Sequence, residues 1–153
     1  MDSVRTPWLR LMRLWRLVPA VWLGVLLCVA LIATPAPFAT LEPALAGRVV
    51  GHIFAREAPL SLLLAMLVLM MGRREAAARH EAGQGSQFSG EMLMAVLVLL
   101  CTVFGYYVLQ PMMAAARAGV VQPLNFGQLH GLSFGLFGLK MVFVAVLAWW
   151  RSR

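Results

Sequence analysis

Residues 124–150 read LNFGQLHGLSFGLFGLKMVFVAVLAWW, and the fold of the whole chain turns on them. Crossing about 30 Å of hydrocarbon takes roughly 20 helical residues, so the stretch is long and apolar enough to span a bilayer. His130, Ser133 and Lys140 are nevertheless placed inside it. Gly127, Gly131 and Gly135 recur every fourth residue and share one helical face, where missing side chains let a second helix come close. His130, Ser133, Phe137 and Lys140 fall within roughly 80° of one another on an ideal helix. The stretch is therefore a membrane helix with a glycine ridge for packing and a separate polar line.

The rest of the chain has the same character. Of 153 residues, 61% are hydrophobic and 12% charged, well outside the range of soluble domains. The net charge of +7 comes from arginines at the ends of apolar runs, a pattern of topology determinants and headgroup contacts that excludes a nucleic-acid partner. Cys28 and Cys101 lie inside apolar runs without CxxC spacing, which predicts reduced, buried packing residues.

Four spans are predicted, at about 17–34, 44–72, 91–110 and 127–150. Pro35 and Pro37 are expected to close the first and Pro111 the third. The apolar run that begins at Pro59 is too short alone and extends backwards to about Pro43. Residues 1–16 form a basic N-terminal segment and residues 73–90 a loop with a frayed helical start. Short connections predict an all-α, antiparallel four-helix membrane bundle. Arg5, Arg10, Arg13, Arg16, Arg73, Arg74, Arg79, Arg151 and Arg153 outweigh Arg48, Arg56 and Arg117, which places both termini in the cytoplasm and the protein in a bacterial inner membrane. The basic start and the ATPAPFA that follows resemble a secretory leader, but the long apolar run and crowded prolines favour a retained span. Trp8, Trp15, Trp149 and Trp150 fall at the expected interfaces.

Within this frame few residues can carry chemistry. A lysine in mid-span must face the bundle, find a polar partner or reach for a headgroup, and Lys140 is expected to point inward. His130 is a relay, metal or haem ligand on the functional reading, and an interhelical hydrogen-bonding residue on the plainer one. Arg48, His52 and Arg56 line one face of the second helix as a solvated or headgroup-facing stripe, partly neutralised by Glu57. Gly47 and Gly51 form a second small-residue face, expected to meet the ridge of Gly127, Gly131 and Gly135 or another copy of the chain. The six acidic residues are all placed outside the spans, and no nucleophile–base pair, phosphate loop or carboxylate dyad is evident. No catalytic residue, metal site or cofactor is assigned.

The order of these features resembles the transmembrane protein 205-like family. The matching elements are AVWLG (20–24), TPAPF (34–38), ALAGRVVGHIF (44–54), YVLQP (107–111) and FGQLHGLS (126–133). The resemblance implies a four-helix integral membrane protein over about residues 17–150, without an established reaction. His130 and Ser133 match the final-helix pattern, whereas Lys140 departs from it. The expected function is a non-enzymatic packing or interaction role, with the lipid bilayer and a second copy or another membrane protein as partners. The alternative is a small-molecule, metal or haem handling module using His130, Ser133, Lys140 and the His52 stripe.

Overall fold

The computed structural model of the chain describes the backbone from Arg5 and side chains from Trp15 onward. The expected anchor Trp8 and the side chains of Arg5, Arg10 and Arg13 lie outside the described residues. Among the described residues every element is helical: α1 (Arg5–Cys28), a π-helical turn (Val29–Ala33), α2 (Pro35–Thr40), α3 (Pro43–Glu81), α4 (Gly90–Thr102), a second π-helical turn (Val103–Val108), α5 (Leu109–Arg117) and α6 (Phe126–Ser152). They make four helices long and apolar enough to cross a membrane, Trp15–Thr40, Pro43–Glu81, Gly90–Arg117 and Phe126–Ser152.

The prolines do not end the first and third helices as the sequence suggests. In the first, the Thr34 N–H reaches back five residues to the Val29 carbonyl at 2.9 Å, widening one turn. Pro35 and Pro37 then occupy the opening turn of α2, where a missing N–H deprives the helix of nothing. Pro111 similarly stands in the opening turn of α5, just beyond the second π-helical turn. The segment after Arg73 is also more regular than expected, since α3 continues unbroken to Glu81 with Gly72 and Ala76 buried.

Two caps fix the entries to later helices. The Ser89 hydroxyl accepts the Met92 N–H ahead of α4, and Asn125 and Gln128 exchange side-chain-to-backbone hydrogen bonds at the start of α6. Each satisfies N–H groups that the first helical turn leaves without partners.

Helix α1 packs on α6, α6 on α4, and α4 on α3, while α1 and α3 touch only sparingly. Helices α3 and α6 stand diagonally, with no Cα pair closer than 8 Å. The core where they converge contains Trp22 and Leu26 from α1, Ala65 and Val68 from α3, Ala95 and Val98 from α4, and Val144 and Leu147 from α6. Small residues on the inward stripe of α3 leave room for the Trp22 indole, which is almost fully buried. Cys101 is buried as expected, but Cys28 is exposed. It follows Leu26 by two residues, roughly 200° around the helix, and so faces away from the core.

Candidate functional site

The diagonal gap between α3 and α6 is crossed in the bundle interior by a buried ion pair. Lys140 Nζ donates to Glu57 Oε1 at 2.7 Å, with both side chains at most 4% exposed. Glu57 therefore lies inside the bundle and not beside the arginine stripe, correcting the expectation that no acid occupies a span. The reason is helical phase. Glu57, Ser61, Ala65 and Val68 follow one another at three- and four-residue steps along the buried stripe of α3, whereas Arg48, His52 and Arg56 are exposed.

The pair is held by neighbours from two other directions. The Ser61 hydroxyl donates to the same Glu57 oxygen, and the Trp22 indole N–H donates to Ser61 Oγ at 3.1 Å. The Lys140 ammonium also lies over the Phe137 ring, 4.5 Å from its centroid. Phe54 packs edge-on against Phe137 at 5.3 Å. The charge thus has a carboxylate on one side and an aromatic face on another, both favourable to a cation removed from water. Three helices contribute: α1 supplies Trp22, α3 supplies Phe54, Glu57 and Ser61, and α6 supplies Phe137 and Lys140.

The remaining members of the polar line separate from this site. Ser133 is half-buried and donates to the Gly105 carbonyl at 3.4 Å, bonding α6 to the second π-helical turn. His130 is exposed, stacked on Phe126 at 5.8 Å, with the Arg117 guanidinium 4.8 Å from the other ring's centre at Phe126. His52 is exposed on α3. Among the described residues no three His, Cys, Asp or Glu side chains converge on a metal position.

The two glycine faces do not meet. A methyl group added at Gly47, Gly131 or Gly135 would find nothing within 4 Å. At Gly51 it would meet only the Gln110 amide at 3.7 Å, and at Gly127 only the Asn125 cap at 3.4 Å. The ridge on α6 points away from the bundle because Leu129, Lys140, Val144 and Leu147 occupy its inward face.

A second charged cluster ties the helix ends. Arg151 donates to Glu75 at 2.9 Å and also to Glu91, joining the ends of α6 and α3 to the start of α4. Sequence reading placed these residues at a boundary without pairing them.

Sequence reasoning identified Lys140 but missed Glu57, Ser61 and Trp22 as its surroundings. The available signal was the requirement that an intramembrane lysine have a partner. Glu57 is numbered in the interior of the second expected span, whereas Glu91 only opens the third.

Four long apolar helices and an ion pair shared across their interior define a multi-pass helical membrane protein. The chain belongs to the family described as a domain of unknown function, DUF4149, whose model matches residues 17–122. That match ends before α6, so it includes Glu57 and excludes Lys140. No curated protein matches the chain, and no solved structure does.

Proposed function

We propose that this protein works in the membrane by packing and interaction, without catalysis of its own. The observation that carries this reading is the use of Glu57 and Lys140 on each other, with Ser61 and Trp22 closing the network. Such an arrangement fixes which helices face each other across the bundle and at what height, and leaves the pair committed to structure.

The finer reading is an antiparallel bundle with both termini in the cytoplasm of a bacterial inner membrane. The arginine distribution supports the orientation. The junction of Arg151 with Glu75 and Glu91 supports grouping the C-terminus with the connection between α3 and α4. The ordered motifs from AVWLG to FGQLHGLS support kinship with the transmembrane protein 205-like proteins. The interacting surface is the outward ridge of Gly127, Gly131 and Gly135, against a second copy or another membrane protein.

A chain with Cys28 and Cys101 replaced by alanine and a single cysteine at position 131 tests this in native membranes. A defined oxidative crosslink at 131, absent for a cysteine at 142, is the expected result. Equal or no crosslinking at the two positions would overturn the interaction surface. Turnover of a substrate by the purified protein would overturn the non-catalytic reading.

The alternative, a small-molecule, metal or haem handling module, is favoured by one observation, the charge buried at Lys140. His130 and His52 are exposed and stand apart from it, so the three do not form one continuous site.

A further inference from the structure

We infer that the groove between the third and fourth spans seats one acyl chain of an anionic phospholipid whose phosphate pairs with Arg117. The inference rests on the membrane-spanning reading of the four helices.

The groove is a lateral cavity of about 250 Å³ lined only by leucine, phenylalanine and cysteine side chains, among them Leu97, Leu100, Cys101, Leu109, Leu136 and Leu139. Water has no hydrogen-bonding partner on such walls. Where it opens onto a bilayer, hydrocarbon is the material that can fill it. From Leu97 to Leu109 it extends roughly 17 Å along the helix, a length suited to a chain and not to a compact ligand.

The second π-helical turn builds this shape. In an uninterrupted α-helix Leu109 would stand about 120° away from Leu97. The wider turn at Val103–Val108 takes up extra residues and brings Leu109 back to the side of Leu97, Cys101 and Phe104. Within that turn Gly105 lets α6 come close, an added methyl group lying 3.5 Å from Leu136, and Ser133 fastens the contact through the Gly105 carbonyl. The groove is thus held open by a specific backbone feature with its own interhelical bond.

Charge at one end selects the headgroup. Leu109 and Leu136, which line one end of the groove, also pack with Met113 and Leu129 in an apolar cluster that continues along α5 to Ala116. Arg117 follows Ala116, eight residues and about 12 Å beyond Leu109. Its guanidinium is held over Phe126, is exposed, and forms no ion pair with a described residue. A phosphate there would sit at the height from which its chain descends into the Leu109 end.

The test uses the full chain, delipidated in detergent, offered equal amounts of phosphatidylglycerol and phosphatidylcholine and weighed by native mass spectrometry. The wild type should retain one lipid with about a fivefold preference for phosphatidylglycerol, the ratio expected of a single arginine near a headgroup. Leu100→Trp and Leu132→Trp fill the groove from opposite rims, at side chains about half exposed. Each should abolish retention of both lipids while gel filtration and helical circular dichroism stay unchanged. Arg117→Gln should keep the lipid and bring the preference to unity. A lipid-free wild type, or unchanged retention in both tryptophan variants, would overturn the chain site. An unchanged preference in Arg117→Gln would overturn the headgroup assignment. A chain that remains soluble without detergent would instead fail the membrane-spanning reading.

Discussion

The molecule contains two ion-pair sites that join α3 to α6, and they live in different surroundings. Glu57 and Lys140 are at most 4% exposed and lie between helices whose backbones stay apart. At the helix ends, Arg151 is 9% exposed, but its partners Glu75 and Glu91 are 31% and 19% exposed. The first site has replaced water by protein on every side, so removing either member strands a charge. The second keeps water within reach, so a released carboxylate can be solvated. Similar residues therefore carry different energetic consequences, because what matters is the state left behind when a partner is lost.

The largest effect should come from Lys140→Met. It leaves the Glu57 carboxylate buried with only Ser61 to bond it, and should cost about 3–5 kcal/mol of unfolding free energy. Glu57→Leu should cost a similar amount by stranding the ammonium. Combining the two should recover most of the loss, because the apolar pair removes both desolvation costs together. Steric trapping or a detergent-denaturation series on the three variants measures the coupling. Additive losses in the double variant would contradict a direct pair and make the two residues independent contributors.

How much of this was legible follows from the same residues. Hydropathy revealed the four helices, and the polar residue Lys140 stood out because mid-span charge is rare. Glu57 did not, since its neighbours Arg56 and Arg48 gave the segment an amphipathic, surface-like pattern. Only rotation about the helix separates it from them, and that phase depends on which stripe the tertiary core selects. The proline boundaries were misread for a related reason. A π-helical turn has no short sequence signal here, yet it places Pro35 and Pro111 where the helix tolerates them. Four-residue spacing puts Gly127, Gly131 and Gly135 on one face, but spacing cannot say whether a face looks inward or outward.

A smaller loss is expected one bond away from the ion pair. Ser61→Ala removes the donor to Glu57 and the acceptor of the Trp22 indole, leaving that N–H buried and unsatisfied, at a cost of about 1–3 kcal/mol. Trp22→Phe removes the indole donor and leaves a small cavity where the second ring stood, but strands no buried N–H, and should cost less. The order Ser61→Ala above Trp22→Phe is the measurable outcome; the reverse order would show that volume dominates the network.

At the helix ends the same experiment should respond to salt. Arg151→Gln is expected to cost about 1 kcal/mol at low ionic strength, towards the upper limit for partly exposed pairs. In 1 M salt, where the screening length falls to about 3 Å, the difference from wild type should shrink. The Lys140→Met deficit should not, because ions do not enter the packed core. Equal salt sensitivity at the two sites would erase the distinction between them.

The smallest effect concerns a position that neither site touches. At Gly131 an added methyl group would project into open space, and the residue sits within a continuous helix. Gly131→Ala should therefore stabilise the isolated chain slightly, by about 0.5–1 kcal/mol, because alanine loses less conformational freedom on entering a helix. Gly90→Ala gives the counterpart, since there the methyl group would lie 3.1 Å from two ring carbons of Trp150. It should shift the indole or destabilise the junction at α4, where Arg151 and Glu91 also meet. Denaturation in a detergent that keeps the chain monomeric separates these effects from association. If Gly131→Ala were strongly destabilising under those conditions, the ridge would have to be packed within one chain, and its availability to a partner would be lost.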